Sequence, residues 1–490
     1  MNSNKTIEKY KKFILLVFMF FPVLAISLNF DNDIWFLLNH GKYLVTSGFP
    51  EFEPFTIHSG MQFIMQQWLF DLIIWLLYSY FGKFGVISFV FCVAIVITAL
   101  LYRRCMLLSN NQTYLSIIIT AISSLIISMW FMVTRPQVLT YLLIITEILV
   151  LEKFMQQKKA KNLFVLPILS ILQINIHSSM WMMIFVFLAP YIAEELLYSI
   201  KEKKIRRTLS QLLIVTAIMA ISGFINPYGI EAMSYIFNSY GNNIISLTVS
   251  EMAVPDIKAF TGFVFYLLVI AICFIYILNK QGKTRFRYIL LTLGTTILTL
   301  MNIKSIPYFV IGSVIPLAYF LKNKASSITF SNSNKKKDRN LIVILVVFLI
   351  LIFITCIFAI SAEYDEKNDY PPLKDAIDSL ANSENRENIV LYTDYYNGGY
   401  AEYVGLKCYI DARAEVFLET INKKENIFNE FIELQNGKLH YKDFLQKYNF
   451  THLLVGSDDT LEVFLSQDPK YYPIYKNDKG KIYIPLEKQE

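Results

Sequence analysis

Apolar runs punctuated by short polar breaks fill the chain from Phe13 to about residue 361. A membrane crossing takes roughly 20 apolar residues. Runs over 12–30, 84–102, 113–132, 137–152, 162–176, 180–199, 209–224, 260–279, 287–302, 305–321 and 341–361 reach or approach that length, which predicts about eleven spans. One apolar stretch is different: "WLFDLIIWLLYSYF" (68–81) offers 14 residues with Asp71 inside, too few for a crossing. It predicts a helix lying on the outer leaflet, with Gln67 and Asp71, four residues apart, on its wetter side. The pattern changes after residue 362. "NIVLYTD", "CYIDAR", "THLLVG", "YYPIYK" and "KIYIPL" read as short strands, and "FLETINKKENIFNEFIEL" has helical spacing. Residues 363–490 are therefore expected to form a small α/β domain behind a 1–362 membrane domain, with Pro371-Pro372 marking the linker.

Basic clusters orient the spans, because Lys and Arg near helix ends stay on the cytoplasmic side. They fall at 5–12, at Arg103-Arg104, from Lys153 to Lys161, from Lys201 to Arg207, from Lys280 to Arg287 and from Lys322 to Arg339. With all six inside, the N-terminus is cytoplasmic, the first outer loop covers about 31–83, and the 363–490 domain is extracytoplasmic. Charge divides the same way. Residues 363–490 carry 15 Lys+Arg against 24 Asp+Glu, leaving residues 1–362 with 30 against 15. A basic half interleaved with apolar runs points to inner-face anchoring and not to nucleic acid. At 55% hydrophobic and 17% charged the chain is a membrane protein. The first run lacks a small-residue cleavage site, so it is read as a span and not a signal peptide. The five cysteines imply neither a disulfide framework nor zinc spacing.

Polar residues at membrane depth are costly and therefore functional candidates. With this topology they gather on the outer face: Asp31, Asp33, His40, His58, Gln66, Gln67, Arg135, Asn175, His177, Glu251, Asn302 and Lys304, with the turn "NPYG" at 226–229. Asp33 reads either as a helix cap beside an interfacial Trp35, or as a general base with Asp31 as neighbour, the two sharing a divalent cation such as magnesium or manganese. Arg135 and Lys304 read either as solvated cations or as contacts for a lipid-linked phosphate. His177 reads as a packing histidine or a donor-phosphate ligand, and Gln67, Asn175 and Glu251 as acceptor or cavity groups. His40 and His58 have no ligand partner at a defined spacing and are expected at the surface. "NPYG" is a turn. No G-x-S-x-G, H-E-x-x-H or Walker A motif is present.

"DNDIW" (31–35), "HGKYLVTSGFPEFEPFT", "QQWLFDLIIWLLYSYFGKFG", "TRPQ", "NIHSS", "INPYG" and "NGGYAEYVGLKCYIDARAEVF" follow one another in a layout that resembles bacterial membrane proteins of the GT-C glycosyltransferase superfamily. That layout is similar to those of protein O-mannosyltransferases and of the enzymes that add aminoarabinose to lipid A. The resemblance implies a GT-C fold in the bacterial plasma membrane and a polyprenyl-phosphate sugar as donor. Transfer would go to a cell-envelope glycan, lipid or protein. The family's acidic residue of the first outer loop falls on Asp33 or Asp31. A polysaccharide polymerase or ligase acting on lipid-linked glycans, and a lipid-linked glycan flippase, are the competing expectations.

Overall fold

The computed structural model describes residues 2–239, 245, 248, 250–278, 285–326, 354 and 366–486. The expected span at 341–361 lies outside the described residues, apart from Ile354. Among the described residues, five helices are long and apolar enough to cross a membrane: Trp68–Leu108, Thr113–Trp130, Ser178–Lys201, Phe260–Ile277 and Ile303–Lys322. Shorter apolar helices occupy Lys12–Ala25, Ala160–Ile176, Arg207–Ser222 and Phe286–Met301. Another long helix, Gln137–Gln157, carries Glu147, Glu152 and Lys153 along its second half.

Two helices depart from the expected bounds. The first, α1, runs Asn2–Met19 and gives way to a 3-10 turn at Phe21–Ala25, so the apolar run 12–30 is not one continuous span. Pro22 has no N–H to donate and a fixed φ, which ends the α-helical ladder there. After α2 (Ile34–Ser47), α3 runs Trp68–Leu108 with a sharp kink at Gly82, whose φ of 60° and ψ of −153° suit a residue without a Cβ. Tyr80, Phe81 and Phe84 stand exposed around this kink.

The segment 68–81 does not turn Gln67 and Asp71 to water. Both are buried, because α2 lies directly on the first half of α3. The approach is close: a Cβ on Gly41 would stand 2.3 Å from the Asp71 carbonyl oxygen and 2.4 Å from Trp75 Cβ. Trp35 is likewise no interfacial anchor. It is 2% exposed, stacked on Tyr370 at 5.1 Å and boxed by Tyr400 and Tyr403.

At the end of the bundle away from the cavity a second device holds the helices. Arg287 Nη2 pairs with Glu152 at 2.9 Å, Tyr191 donates to the same glutamate at 2.9 Å, and the Arg287 guanidinium also bonds Glu194. These groups tie three helices together, with both buried glutamates bonded to one guanidinium and Glu152 also accepting from Tyr191. Arg104 donates to the Ile311 carbonyl at 2.5 Å, an acceptor that lies within the π-helical turn Val310–Val314.

The C-terminal region forms a five-stranded sheet from β1 (Val390–Tyr392), β2 (Lys407–Cys408), β3 (His452–Gly456), β4 (Tyr471–Asn477) and β5 (Gly480–Pro485), in the order β2-β1-β3-β5-β4. β1 pairs in parallel with β2 and β3, while β5 runs antiparallel to β3 and β4. "CYIDAR" is strand only at its start, and the expected long helix divides into Glu419–Asn422 and Ile427–Gln435. The first outer loop extends this sheet: Thr56 bridges Cys408 in parallel and Ile57 N donates to Cys408 O at 3.0 Å.

A buried ionic cluster locks loop and sheet together. Arg413 lies 3.0 Å from Glu53 of the outer loop and bonds Glu402 and Asp411 of the C-terminal region. His40, expected at the surface, is 4% exposed and completes this cluster: its Nε2 is 3.0 Å from Arg413 Nη1 and its Nδ1 3.0 Å from Asp71. Arginine only donates, so Nε2 is the acceptor and Nδ1 carries the proton. Burial, then the neighbouring guanidinium, pushes the His40 pKa well below the ordinary value and keeps the ring neutral. One guanidinium cannot neutralise every carboxylate around it. Burial therefore pushes Glu402 well above the usual carboxylate range, whereas Asp411, buried but bonded to Arg413, is lowered. His58 is half-buried, its Nε2 lying 2.8 Å from the Tyr409 carbonyl.

Removing Arg413 strands these acids. Arg413→Ala is expected to destabilise the protein by about 3–5 kcal/mol, read as a lower thermal midpoint in detergent together with faster protease release of the C-terminal region.

Candidate active site

The ends of the apolar helices nearest the C-terminal region, the loops that follow β1 and β3, the β4–β5 turn and the helix Ile427–Gln435 enclose a cavity of about 1070 Å³. Asp31, Asp33, Gln67, Arg135, His177, Glu251 and Lys304 all line it, as do His40 and Gln66, so most of the candidate residues share one space. Asn175 does not line it. Its side chain accepts from Trp68 Nε1 at 2.9 Å and donates to the Ile225 carbonyl at 2.8 Å, which is a packing role at the start of α3.

Local chain chemistry explains how five of these residues meet. Asp31 Oδ1 accepts from the backbone N–H of Asp33 at 3.1 Å, an Asx turn leading into α2. Arg135 sits before Pro136, at the entry of the helix Gln137–Gln157. Glu251 lies in the 3-10 turn Ser250–Met252 and Lys304 in the turn Ile303–Ser305; Ile303 N donates to Ala253 O at 2.9 Å, which holds the two turns side by side.

The guanidinium of Arg135 is the centre of the group. Its Nη2 lies 2.8 Å from Asp31 Oδ1, its Nε 3.1 Å from Asp33 Oδ2, and its Nη1 2.7 Å from Glu251 Oε2. Lys304 Nζ lies 2.6 Å from that same Glu251 oxygen. All three guanidinium nitrogens are thus spent on carboxylates, whereas Lys304, 32% exposed, still faces the cavity. His177 is buried at the edge of the cavity, with Nδ1 3.1 Å from Thr140 Oγ1.

Two acids in this group titrate in opposite directions. Burial pushes Glu251 up, but Arg135 and Lys304 more than offset it, and its pKa falls to about 2. For Asp33 burial wins: the pull of Arg135 does not offset desolvation and the nearby Asp31 carboxylate, and its pKa rises to about 7. A carboxyl that titrates near neutrality beside a permanently ionised one is the pattern of an acid–base group with a charged companion.

Sequence reasoning did not find the roof of the cavity. Asp394, Tyr395, Tyr396 and Arg413 line it from the C-terminal region. Asp394 is fixed by the backbone N–H groups of Tyr396 and Asn397 at 3.0 and 2.8 Å. The only available signal was "DAR" at 411–413, an ion pair in an otherwise apolar stretch, and in the sequence it reads as a strand. "NPYG" is the turn expected, closed by Asn226 Oδ1 accepting from Tyr228 N at 2.8 Å.

No protein-family model matches this sequence, and no curated protein matches it. Solved structures do. The archaeal oligosaccharyltransferase AglB of Archaeoglobus fulgidus, in complex with an inhibitory peptide and a dolichol-phosphate, superposes with a TM-score of 0.61 at 11% identity, covering 92% of this chain and 69% of that one. The chain has a GT-C fold. The apo Archaeoglobus fulgidus oligosaccharyltransferase gives 0.55 at 10% identity over 91% and 69% of the two chains. Its form tethered through a disulfide bond to an acceptor peptide containing the NVT sequon gives 0.59 at 12% identity over 97% and 75%.

Does this site fit the divalent cation that is one of the two readings of Asp31 and Asp33? The carboxylates do converge, but on the Arg135 guanidinium, and among the described residues no group of three His, Cys, Asp or Glu is arranged to hold a metal ion. An ion placed between them would stand against a fixed unit charge. At about 4 Å that costs roughly 4 kcal/mol per unit charge at an effective dielectric constant near 20. The residues as arranged do not fit a metal.

Asp33 is protonated below about pH 7 and ionised above it. Infrared difference titration is expected to show a carboxyl group ionising with a midpoint of about 7, and that signal should vanish in Asp33→Asn while Asp31→Asn shifts it downward by removing a neighbouring negative charge.

Proposed function

We propose that this chain is a GT-C glycosyltransferase that moves a sugar from a polyprenyl-phosphate carrier to an acceptor on the extracytoplasmic side of the bacterial plasma membrane. The observation that carries the reading is the cavity in which Asp33, Asp31, Arg135, Glu251 and Lys304 converge between apolar helices and the C-terminal region. The oligosaccharyltransferase fold supports it, and one of those structures holds a dolichol-phosphate.

The chemistry asks three things of the protein. A sugar on a lipid phosphate already has a good leaving group, so the site must deprotonate the acceptor, align the two reactants and meet the charge on the departing phosphate. Asp33, ionised above neutrality, takes the acceptor proton. The acceptor's nucleophilic atom then attacks the anomeric carbon, the bond from that carbon to the phosphate oxygen breaks, and the polyprenyl phosphate leaves with its electron pair. Lys304 faces the cavity and meets that charge, with His177 beside it; Arg135, engaged by carboxylates, orients Asp33 and Asp31. Apolar helix surfaces alongside receive the lipid tail, which is why reactive groups sit at membrane depth. Gln67 and the C-terminal residues Asp394, Tyr395 and Tyr396 form the wall against which the acceptor lies. Glycan, lipid and peptide acceptors all remain within this reading, the peptide being what two of the neighbouring structures carry.

Transfer of radiolabelled sugar from a panel of polyprenyl-phosphate and polyprenyl-diphosphate donors, by protein in lipid nanodiscs, tests it. Wild type is expected to release label from a monophosphate donor, and Asp33→Asn to lose about 10²–10⁴-fold in rate, the usual contribution of a general base. Wild-type turnover in folded Asp33→Asn would end the base assignment. Release from diphosphate donors alone would select the lipid-linked-glycan ligase, and donors that cross the bilayer uncleaved would select the flippase.

A further inference from the structure

We infer that Arg135, with Lys304, is the resident cation of this carboxylate cluster and occupies the place a divalent metal would otherwise take. The inference deepens the reading proposed for this site, but its test does not depend on turnover.

Three observations carry it. First, the carboxylates come from separate segments, Asp31 and Asp33 from the exit of the first apolar run and Glu251 from a turn more than two hundred residues later. Like charges do not gather unless a cation gathers them, and the group that all three touch is the Arg135 guanidinium, at 2.8, 3.1 and 2.7 Å. Second, the geometry is that of a ligated centre. Each guanidinium nitrogen takes a carboxylate oxygen, so the planar fork of donors does for these acids what a coordination shell does around a hard ion. Third, the charge matches. Arg135 and Lys304, which share Glu251 Oε2, together bring two positive charges, as many as a divalent ion.

The arrangement differs from a metal centre in what it can exchange. An arginine is always protonated, is not removed by a chelator and is not replaced by a competing ion. It is also covalently fixed to the entry of the helix Gln137–Gln157, so the positions of Asp31 and Asp33 follow that helix and not the supply of an ion. Arg135 is in this sense a positioning residue: it acts on the reacting groups through the carboxylates that it holds.

Manganese is the probe, because its paramagnetism reports bound ion directly. Full-length protein in nanodiscs is titrated with Mn²⁺ by electron paramagnetic resonance up to about 1 mM, the weak end of carboxylate cation sites. Wild type is expected to show no Mn²⁺ site that depends on Asp33. Arg135→Ala frees Asp31 and Asp33, leaving Glu251 on Lys304, and is expected to gain one site, binding at least tenfold tighter than any in wild type, and the added Asp33→Asn change removes it. Two results overturn the inference: a Mn²⁺ site in wild type that Asp33→Asn abolishes, or folded Arg135→Ala that gains no site. Should Arg135→Ala not fold, the wild-type and Asp33→Asn titrations still decide. Loss of transfer activity with every donor, beside the expected Mn²⁺ behaviour, would count against the glycosyltransferase reading and leave this one standing.

Discussion

One buried guanidinium holds this molecule in its working shape. Arg413 has almost no water contact, yet carboxylates of the outer loop and of the C-terminal region both reach it. A charge in such a place is tolerated only when its partners stay in position, so the outer loop, α2 and the sheet must move as one. The hydrogen-bonded chain from Arg413 through His40 to Asp71 carries that constraint onto α3. The roof of the cavity is thereby set at a fixed height above the apolar helices.

The two arginine clusters that line the cavity use the same chemistry to different ends. Around Arg413 everything is buried and one guanidinium serves several acids, with Glu402 pushed toward its protonated form. Around Arg135 the acids are partly open: Asp31 and Asp33 are each about a fifth exposed, and Glu251 more. A closed cluster serves as a structural lock, whereas an open one can meet a substrate. Asp33 near neutrality and Glu251 held ionised, two acids about one guanidinium, give the open cluster both a group that can exchange a proton and a charge that does not change.

This division of labour suits chemistry at a bilayer surface. In the reaction we propose, a lipid-linked donor reaches the site from the side, between helices, while an acceptor arrives from above, and the two must be held in one line. The helix bundle supplies the first approach and the C-terminal sheet the second. The cavity lies where they meet, and the oligosaccharyltransferase structures that share this fold carry a lipid phosphate and peptides.

What the sequence by itself determined was whatever depends on local pattern. Apolar runs and basic clusters predict a multi-helix membrane protein, the alternating stretches after residue 387 predict the sheet, and the rarity of Asp31, Asp33, Arg135 and Lys304 at outer helix ends singles them out, since each is costly at membrane depth whatever its partners. What only the tertiary structure decided was who those partners are. His40 and Asp71, which looked exposed, are buried because α2 folds onto α3; Trp35 is buried because tyrosines some 335 to 368 residues away close over it. Glu53 and Glu402 carry no signal of their own, Arg413 only that of a charge beside Asp411 in an apolar stretch, and Arg135 reads as a solvated cation or a phosphate contact until Glu251 is placed beside it. Periodicity records which face of an element is apolar, but an ion pair is a property of two distant segments brought together. Its cost and its chemistry exist only once the fold has excluded the water between them.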